Sequence, residues 1–441
     1  MESGNVLSTA KKLGHSIGLT LGAEAFVELE LSFITRLMPS FKNNPQIRAR
    51  QHLLLYWDQS YLKSTIIREF SETLPYDLVE NISSLTLETL FGSVTEDRQN
   101  IVKPALFEKK IFKIDELMSF LGTGLKLKDM VNTLNTGMEG GRISRRLIKL
   151  AIPDFGQSKV KKLKKQGIDF NPEFGVLSYQ PDICVWAASR PIDNKTYTFL
   201  RYSGFLNRFH VLQHRISDSQ ALDLFTENFQ VDQQSKQKLS SINQKISTIS
   251  LKPIPTPPEL MLNKIASRLQ EIVIEETIIN KRRLAQIIDI RTKGNILREI
   301  SAYALLRSIE ENEFRSPSKV EYCDEDLEFI LSRLEHFVEF KLDPVFADDF
   351  SIRRKKKRPR EQAKEITLEF LNGKQLTQKK DIDSQIYSKI SIGGATIANA
   401  LKDLILENKI CQPKFGFYKL KEDCSKCSQK NTCKADGKEI A

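Results

Sequence analysis

Residues 52–65 read His-Leu-Leu-Leu-Tyr-Trp-Asp-Gln-Ser-Tyr-Leu-Lys-Ser-Thr. Leu53 to Tyr56 form an apolar run of strand length, and Trp57 to Thr65 continue it as a turn. Beyond it Ile66, Ile67, Phe70 and Leu74 recur at helical spacing. Strand, loop, Lys-Ser and helix together make the layout of a phosphate-binding loop. In such a loop the helix N-terminus and loop amides face the phosphates, the lysine brings charge, and the hydroxyl reaches Mg²⁺. A phosphate loop favours glycine where Trp57 and Leu62 stand here. A solvated Lys-Ser pair at a helix start is the plainer alternative, and only partner residues elsewhere in the chain can decide between the two.

A carboxylate pair lies about 50 residues on, a distance that suits a phosphate-loop sheet. Lys110-Ile111-Phe112-Lys113-Ile114-Asp115-Glu116-Leu117 is an apolar strand ending in two acids. In a nucleotide-hydrolysing site the first acid holds Mg²⁺ through water and the second polarises the attacking water. Pro181 to Pro191 contains a further apolar strand with a polar tip, Ser189-Arg190. The pattern predicts an α/β fold with the site at the carboxyl ends of the strands.

The chain has 441 residues, 40% of them hydrophobic and 28% charged, enough for two or three domains with their own cores. No apolar run approaches the length of a membrane span, and no basic-then-apolar secretory leader opens the chain. Six cysteines in a chain this long do not make a secreted disulfide framework. The expectation is a protein of the cell interior, cytoplasmic, or nuclear in a eukaryotic host. A net charge of +11 and a pI near 9.1 favour a polyanionic partner.

Along the chain, residues 1–48 read as a helical lead-in and 49–250 as the α/β core. Residues 213–258 are polar and end in Pro253, Pro255, Pro257 and Pro258, a linker signature. Residues 259–345 are helical by periodicity. A basic run from Arg353 to Arg358 marks a second linker. Residues 361–420 come next, with three helices and a hairpin, the outline of a winged helix-turn-helix. The helix from Gly394 to Lys409 turns Ile397, Leu401, Leu404 and Ile405 inward and Thr396, Asn399 and Lys402 outward. Lys402 and, on the wing, Lys414 are its candidate DNA contacts. A winged helix used for protein contacts is the alternative.

Residues 159–165, Lys-Val-Lys-Lys-Leu-Lys-Lys, concentrate positive charge. Lys161, Lys162, Lys164 and Lys165 on a hairpin would bind nucleic-acid backbone without reading sequence; a solvated loop is the alternative. Cys424, Cys427 and Cys433 lie in the tail 421–441, with Cys411 upstream on the wing. Four thiolates suit tetrahedral Zn²⁺ or an iron–sulfur cluster, against free thiols in a tail. Cys184 and Cys323 sit in apolar patterns and read as core.

Taken in order, these pieces resemble the AAA+ motor of the minichromosome maintenance (MCM) family of replicative helicases. The family loop reads Gly-Asp-Pro-Gly-Thr-Ala-Lys-Ser, and Asp58, Lys63 and Ser64 match it. Asp115-Glu116 matches the Mg²⁺ and water-activating pair. Thr133 to Glu139, with Ile143-Ser144 after them, is similar to the helix and start of the hairpin before sensor 1. Ala187-Ala188-Ser189-Arg190-Pro191 resembles the sensor-1 strand end, with Arg190 where the family has Asn. Leu206-Asn207-Arg208-Phe209 resembles the motif whose arginine enters a neighbour's site, and Gly294 to Glu299 resembles a sensor-2 helix. The resemblance spans roughly residues 45 to 345.

The resemblance implies an AAA+ P-loop domain with a helical lid and a C-terminal winged helix, assembled as a hexameric ring on DNA. ATP and Mg²⁺ would be held by Asp58, Lys63, Ser64, Thr65 and Asp115. Glu116, Arg190, Arg208 and Arg298 would serve hydrolysis. Trp57, Gln59 and Ser60 replace Gly, Pro and Gly, a strongly basic insert of about 30 residues lies between Ile152 and Asp182, and only about 48 residues precede the motor. A reading from a different class is a DNA-binding assembly or regulatory protein whose nucleotide site does not hydrolyse.

Overall fold

The computed structural model describes residues 6–42, 48–58, 62–81, 87–95, 100–121, 124–147, 155–192, 194–214, 216–227, 229–278, 284–342, 359–372, 374, 376–389, 394–407 and 409–421. The chain divides into two compact units, Met1–Ala347 and Asp348–Ala441. Among the described residues no helix is long and apolar enough to cross a membrane.

The first unit is mixed α/β. Its strands are β1 (His52–Tyr56), β2 (Val79–Asn81), β3 (Ser93–Val94), β4 (Ile101–Val102), β5 (Ile111–Ile114), β6 (Ile143–Arg146), β7 (Ile168–Asn171), β8 (Val176–Tyr179), β9 (Cys184–Ser189) and β10 (Phe209–Gln213). Five of these make a parallel sheet in the order β10-β1-β9-β5-β2. From β1 the chain crosses to the far edge at β2, walks back through β5 and β9, and passes β1 to end at β10. Connections therefore diverge on either side of β1, which is the place where an open α/β sheet leaves a crevice at its carboxyl edge.

Every residue of β1 and β9 is buried, as a parallel strand covered on both faces requires. Alternate side chains serve the two faces. Leu53, Leu55, Trp186 and Ala188 pack into one core with the N-terminal helix. Leu54, Tyr56, Val185 and Ala187 pack into the other, with Leu134 and Met138 of the helix Gly124–Met138.

The lead-in is the helical segment Val6–Thr35, broken by a kink at Gly18-Leu19. Gly14 and Gly22 meet backbone to backbone across that kink: a Cβ on Gly14 would lie 2.2 Å from the carbonyl oxygen of Gly22. The apex at Gly18 seats against Leu62 and Ile66, beside the phosphate-loop candidate. The segment read as a linker carries the helices Asp218–Thr226 and Gln233–Ser247. The second of these buries Leu239, Ile242 and Ile246 in the core that holds the N-terminal helix. Three apolar residues at helical spacing are enough to dock a helix whose remaining positions are polar.

Among the described residues of 259–342 the helices are Glu259–Ile278, Leu284–Ile287, Ile290–Glu311, Asp324–Leu331 and Leu334–Leu342. Cys323 is exposed and not in the core. It stands at the N-cap of an acidic helix start, where the chain is at the surface.

The second unit runs helix Pro359–Leu371, β11 (Thr377–Gln378), helix Lys379–Lys389, helix Gly394–Leu406, β12 (Ile410–Lys414) and β13 (Phe417–Leu420). Its sheet order is β11-β13-β12, antiparallel throughout. Ile397, Leu401 and Leu404 are buried with Ile382, Ile386 and Ile410.

Candidate functional site

β1 and β5 are parallel, separated only by β9, so the residues just beyond each strand emerge on one edge of the sheet. This brings the Lys63-Ser64 step to the Asp115-Glu116 pair. The Ser64 hydroxyl donates to the carbonyl oxygen of Asp115 at 2.8 Å. The Asp115 carboxylate accepts from the Asn81 side-chain amide at 2.8 Å, which orients it from β2. A carboxylate oxygen of Glu116 accepts from the amide of Met118 at 3.3 Å. Arg190 is exposed just after β9 on the same edge, and Thr65 is half-buried one residue beyond Ser64.

Lys63 opens the helix Lys63–Ser71, whose first-turn amides face this edge. Its ammonium donates to the carbonyls of Trp57 at 2.8 Å and Asp58 at 2.5 Å, so the loop closes on the lysine. Burial draws its pKa down to about 8, against the opposing charges of Glu116 and Asp58. Leu62, just before it, adopts φ 58°, ψ 0°. The backbone thus takes the left-handed turn for which glycine is the usual residue, with a leucine in the place. Trp57 is not left-handed and is fully buried, its ring edge-on to His214 at 5.3 Å. The indole fills core where the family has glycine. Gln59 and Ser60 lie outside the described residues.

The other two candidate arginines, Arg208 and Arg298, lie elsewhere. Arg208 immediately precedes β10, which pairs with β1 from His52↔Phe209 to Tyr56↔Gln213. Arg208 is therefore at the amino edge of the sheet and Lys63 at the carboxyl edge, a strand length or about 16 Å apart. Arg208 donates to Glu139 at 2.5 Å and Arg291 donates to the same oxygen at 3.1 Å. Burial and the neighbouring Arg291 both disfavour the charge on Arg208. Two guanidiniums on one half-exposed carboxylate leave an excess positive charge at this edge.

Arg298 departs from the sequence expectation. It is half-buried and donates to the carbonyl of Arg48 at 2.7 Å and to Asn295 at 2.8 Å, away from Lys63. Arg291, two turns earlier on the same helix, is the residue that meets Arg208. The 3.6-residue period puts both arginines on one side of the helix, so only the packing separates their roles.

The lysines of 159–165 sit on a helix, Gln157–Lys165, and not on a hairpin. Lys161, Lys162, Lys164 and Lys165 are all exposed, and Val160 and Leu163 are its half-buried contacts. The helix leads into β7 of the three-stranded sheet β6-β8-β7. In the second unit Lys402 and Lys414 are exposed, and Phe415 at the hairpin tip is 95% exposed. Cys411 is fully buried in β12. Cys424, Cys427, Cys433 and the run Arg353–Arg358 lie outside the described residues.

No protein-family model matches the chain, and no curated protein matches it.

Proposed function

We propose that the chain is an MCM-like AAA+ ATPase, a ring-forming motor that couples ATP binding and hydrolysis to DNA. The observation that carries this reading is the hydrogen bond from Ser64 to Asp115. It sets a Lys-Ser helix start and an Asp-Glu strand end on one edge of a parallel sheet, beside its crevice. That is the donor set for a magnesium nucleotide: Lys63 for the phosphates, Ser64 and Asp115 for the ion, Glu116 for the attacking water. The loop amides and the helix start would replace the water around the phosphates.

The position of Arg208 supports assembly. At the opposite edge, it is out of reach of its own chain's phosphates and suited to those of a second copy. A ring of copies, six in the family it resembles, would place Arg208 and Arg291 against each neighbour's nucleotide. Phosphate oxygens would take up the positive charge that Glu139 alone leaves unbalanced. The exposed lysine helix and the second unit, whose helix-strand-helix-helix-strand-strand order is that of a winged helix, supply surfaces for DNA backbone.

The contact of Lys63 with the carbonyls of Trp57 and Asp58 favours a second reading. A loop folded on its own lysine would suit a DNA-binding assembly protein that does not hydrolyse nucleotide. ATP turnover with and without single-stranded DNA, beside a Glu116→Gln variant, separates the two. Turnover abolished in the variant supports the motor, and no turnover in either supports the second reading.

A further inference from the structure

On the amino side of the sheet, away from the nucleotide-site candidate, three acid and imidazole groups converge in the interior. Glu28 comes from the N-terminal helix, His210 from β10 and Glu299 from the helix Ile290–Glu311. All three are buried, with exposures of 0%, 1% and 0%. His210 Nε2 lies 3.4 Å from Glu28 Oε2 and 3.8 Å from Glu299 Oε2, and the three atoms fall within 4.8 Å of one another. Neither His210 Nε2 nor Glu28 Oε2 finds a hydrogen-bond partner among the described residues. Buried polar atoms that are left unsatisfied are rare and call for an explanation.

The arrangement around them is specific. Arg333 donates to Glu299 Oε1 at 2.9 Å and also binds Glu28 Oε1. One guanidinium thus holds both carboxylates by their Oε1 atoms and turns both Oε2 atoms toward His210. Carboxylates oriented from behind by a hydrogen-bonding residue are the usual support of a metal site. Separations of 3.4 and 3.8 Å are long for hydrogen bonds. They are close to the distance of about 3.4 Å between two ligands that each lie about 2.1 Å from a tetrahedral ion. A cavity of about 20 Å³ borders His210 and His336, with room for one water, but neither Glu28 nor Glu299 lines it. His336 Nδ1, also buried and without a hydrogen bond, is 3.9 Å from Glu28 Oε1. Finally, two carboxylates share one guanidinium, and a bound cation or a proton balances the remaining charge.

We infer that Glu28, His210 and Glu299 form a structural site for a divalent transition metal, with Zn²⁺ best suited to one imidazole and two carboxylates. The ligands come from three segments far apart in sequence, so the ion would fasten the N-terminal helix and the helix Ile290–Glu311 to the central sheet. Full burial of the three ligands makes it a site whose occupancy is coupled to folding.

The test uses the full chain with Cys424, Cys427 and Cys433 changed to Ser, so that tail thiolates cannot contribute. Metal analysis of this protein should find about one equivalent. Stripping with chelator should lower the melting temperature and added Zn²⁺ should restore it. Co²⁺ in its place should give weak visible bands with no thiolate charge-transfer band. Glu28→Gln should lose the metal, and Arg333→Gln should weaken its affinity roughly 10- to 100-fold. If Glu28→Gln does not fold, the metal content and Zn²⁺-dependent melting of the Ser-substituted chain decide alone. A folded protein with no metal and no response to Zn²⁺ overturns the site, and leaves a proton as the balancing cation. Metal retained by folded Glu28→Gln overturns it equally.

Discussion

Ser64 donates its hydroxyl proton to the carbonyl oxygen of Asp115, 2.8 Å away, although 51 residues separate them. The hydrogen bond ties the start of the helix Lys63–Ser71 to the acid pair at the end of β5.

Nucleotide binding should depend on pH through Lys63. Burial lowers its pKa from 10.5 to about 8 in the folded protein. Below pH 8 the buried ammonium therefore costs stability, and the cost fades between pH 8 and 10.5 as the proton leaves. Bound phosphates favour the charged form, so binding above pH 8 should take up a proton. Affinity should then fall by about tenfold per pH unit. Calorimetry of a non-hydrolysable ATP analogue, in buffers of different ionisation heat, measures both effects. Lys63→Ala should bind far more weakly at every pH.

Leu62 carries strain that a substitution can read. A left-handed conformation costs a non-glycine residue about 1 kcal/mol. Leu62→Gly releases it and gives up some apolar packing, so its stability should stay within about 1 kcal/mol of the parent. Leu62→Val, β-branched and worse in this region, should lose more than about 1 kcal/mol. Urea unfolding of the three proteins provides the comparison.

Arg208 and Arg291 should act on a neighbour and Arg298 should not. Arg208→Ala and Arg291→Ala should each cut turnover by at least about 10³-fold, with nucleotide affinity nearly unchanged. Mixing Arg208→Ala subunits with Lys63→Ala subunits should recover some turnover, since one kind of mixed interface carries both residues. No recovery on mixing would place the arginine's action within its own chain. Arg298→Ala should instead lower the melting temperature, because it leaves the half-buried carbonyl of Arg48 without this donor.

The lysine helix Gln157–Lys165 should govern the salt dependence of DNA binding. Changing Lys161, Lys162, Lys164 and Lys165 to Ala should weaken that binding alike for all sequences. The slope of log affinity against log salt should shrink by about 0.7 to 0.9 for each phosphate no longer neutralised. Fluorescence titration from low to moderate salt reads it, and an unchanged slope would leave these lysines in plain solvent.

Some of this was legible in the amino-acid order, and the rest was hidden for physical reasons. β1 and β5 could be read because a strand covered on both faces must be apolar along its length, as Leu53 to Tyr56 are. The helix Gln233–Ser247 was hidden, since its core-facing Leu239, Ile242 and Ile246 are diluted by polar residues and prolines come soon after it. Arg298 and Arg291 share a helix and a residue type. Only their partners distinguish them, Glu139 for Arg291 and the Arg48 carbonyl with Asn295 for Arg298, and those pairings belong to the folded chain. The triad of Glu28, His210 and Glu299 had no local signal, because its members are brought together only by the packing of helix on sheet.

The crossing of Gly14 and Gly22 has a consequence for how this chain can change. A Cβ at either position would overlap the other's carbonyl oxygen, at 2.2 Å and 2.1 Å. The clash is with backbone, so no shrinking of a partner side chain can relieve it. Neither position can vary with help from the other, and each must stay glycine by itself. Since the apex of this hairpin seats on Leu62 and Ile66, a larger residue at either glycine would prise the hairpin open. It would thereby unsettle the start of the helix that carries Lys63 and Ser64, from a site that touches neither.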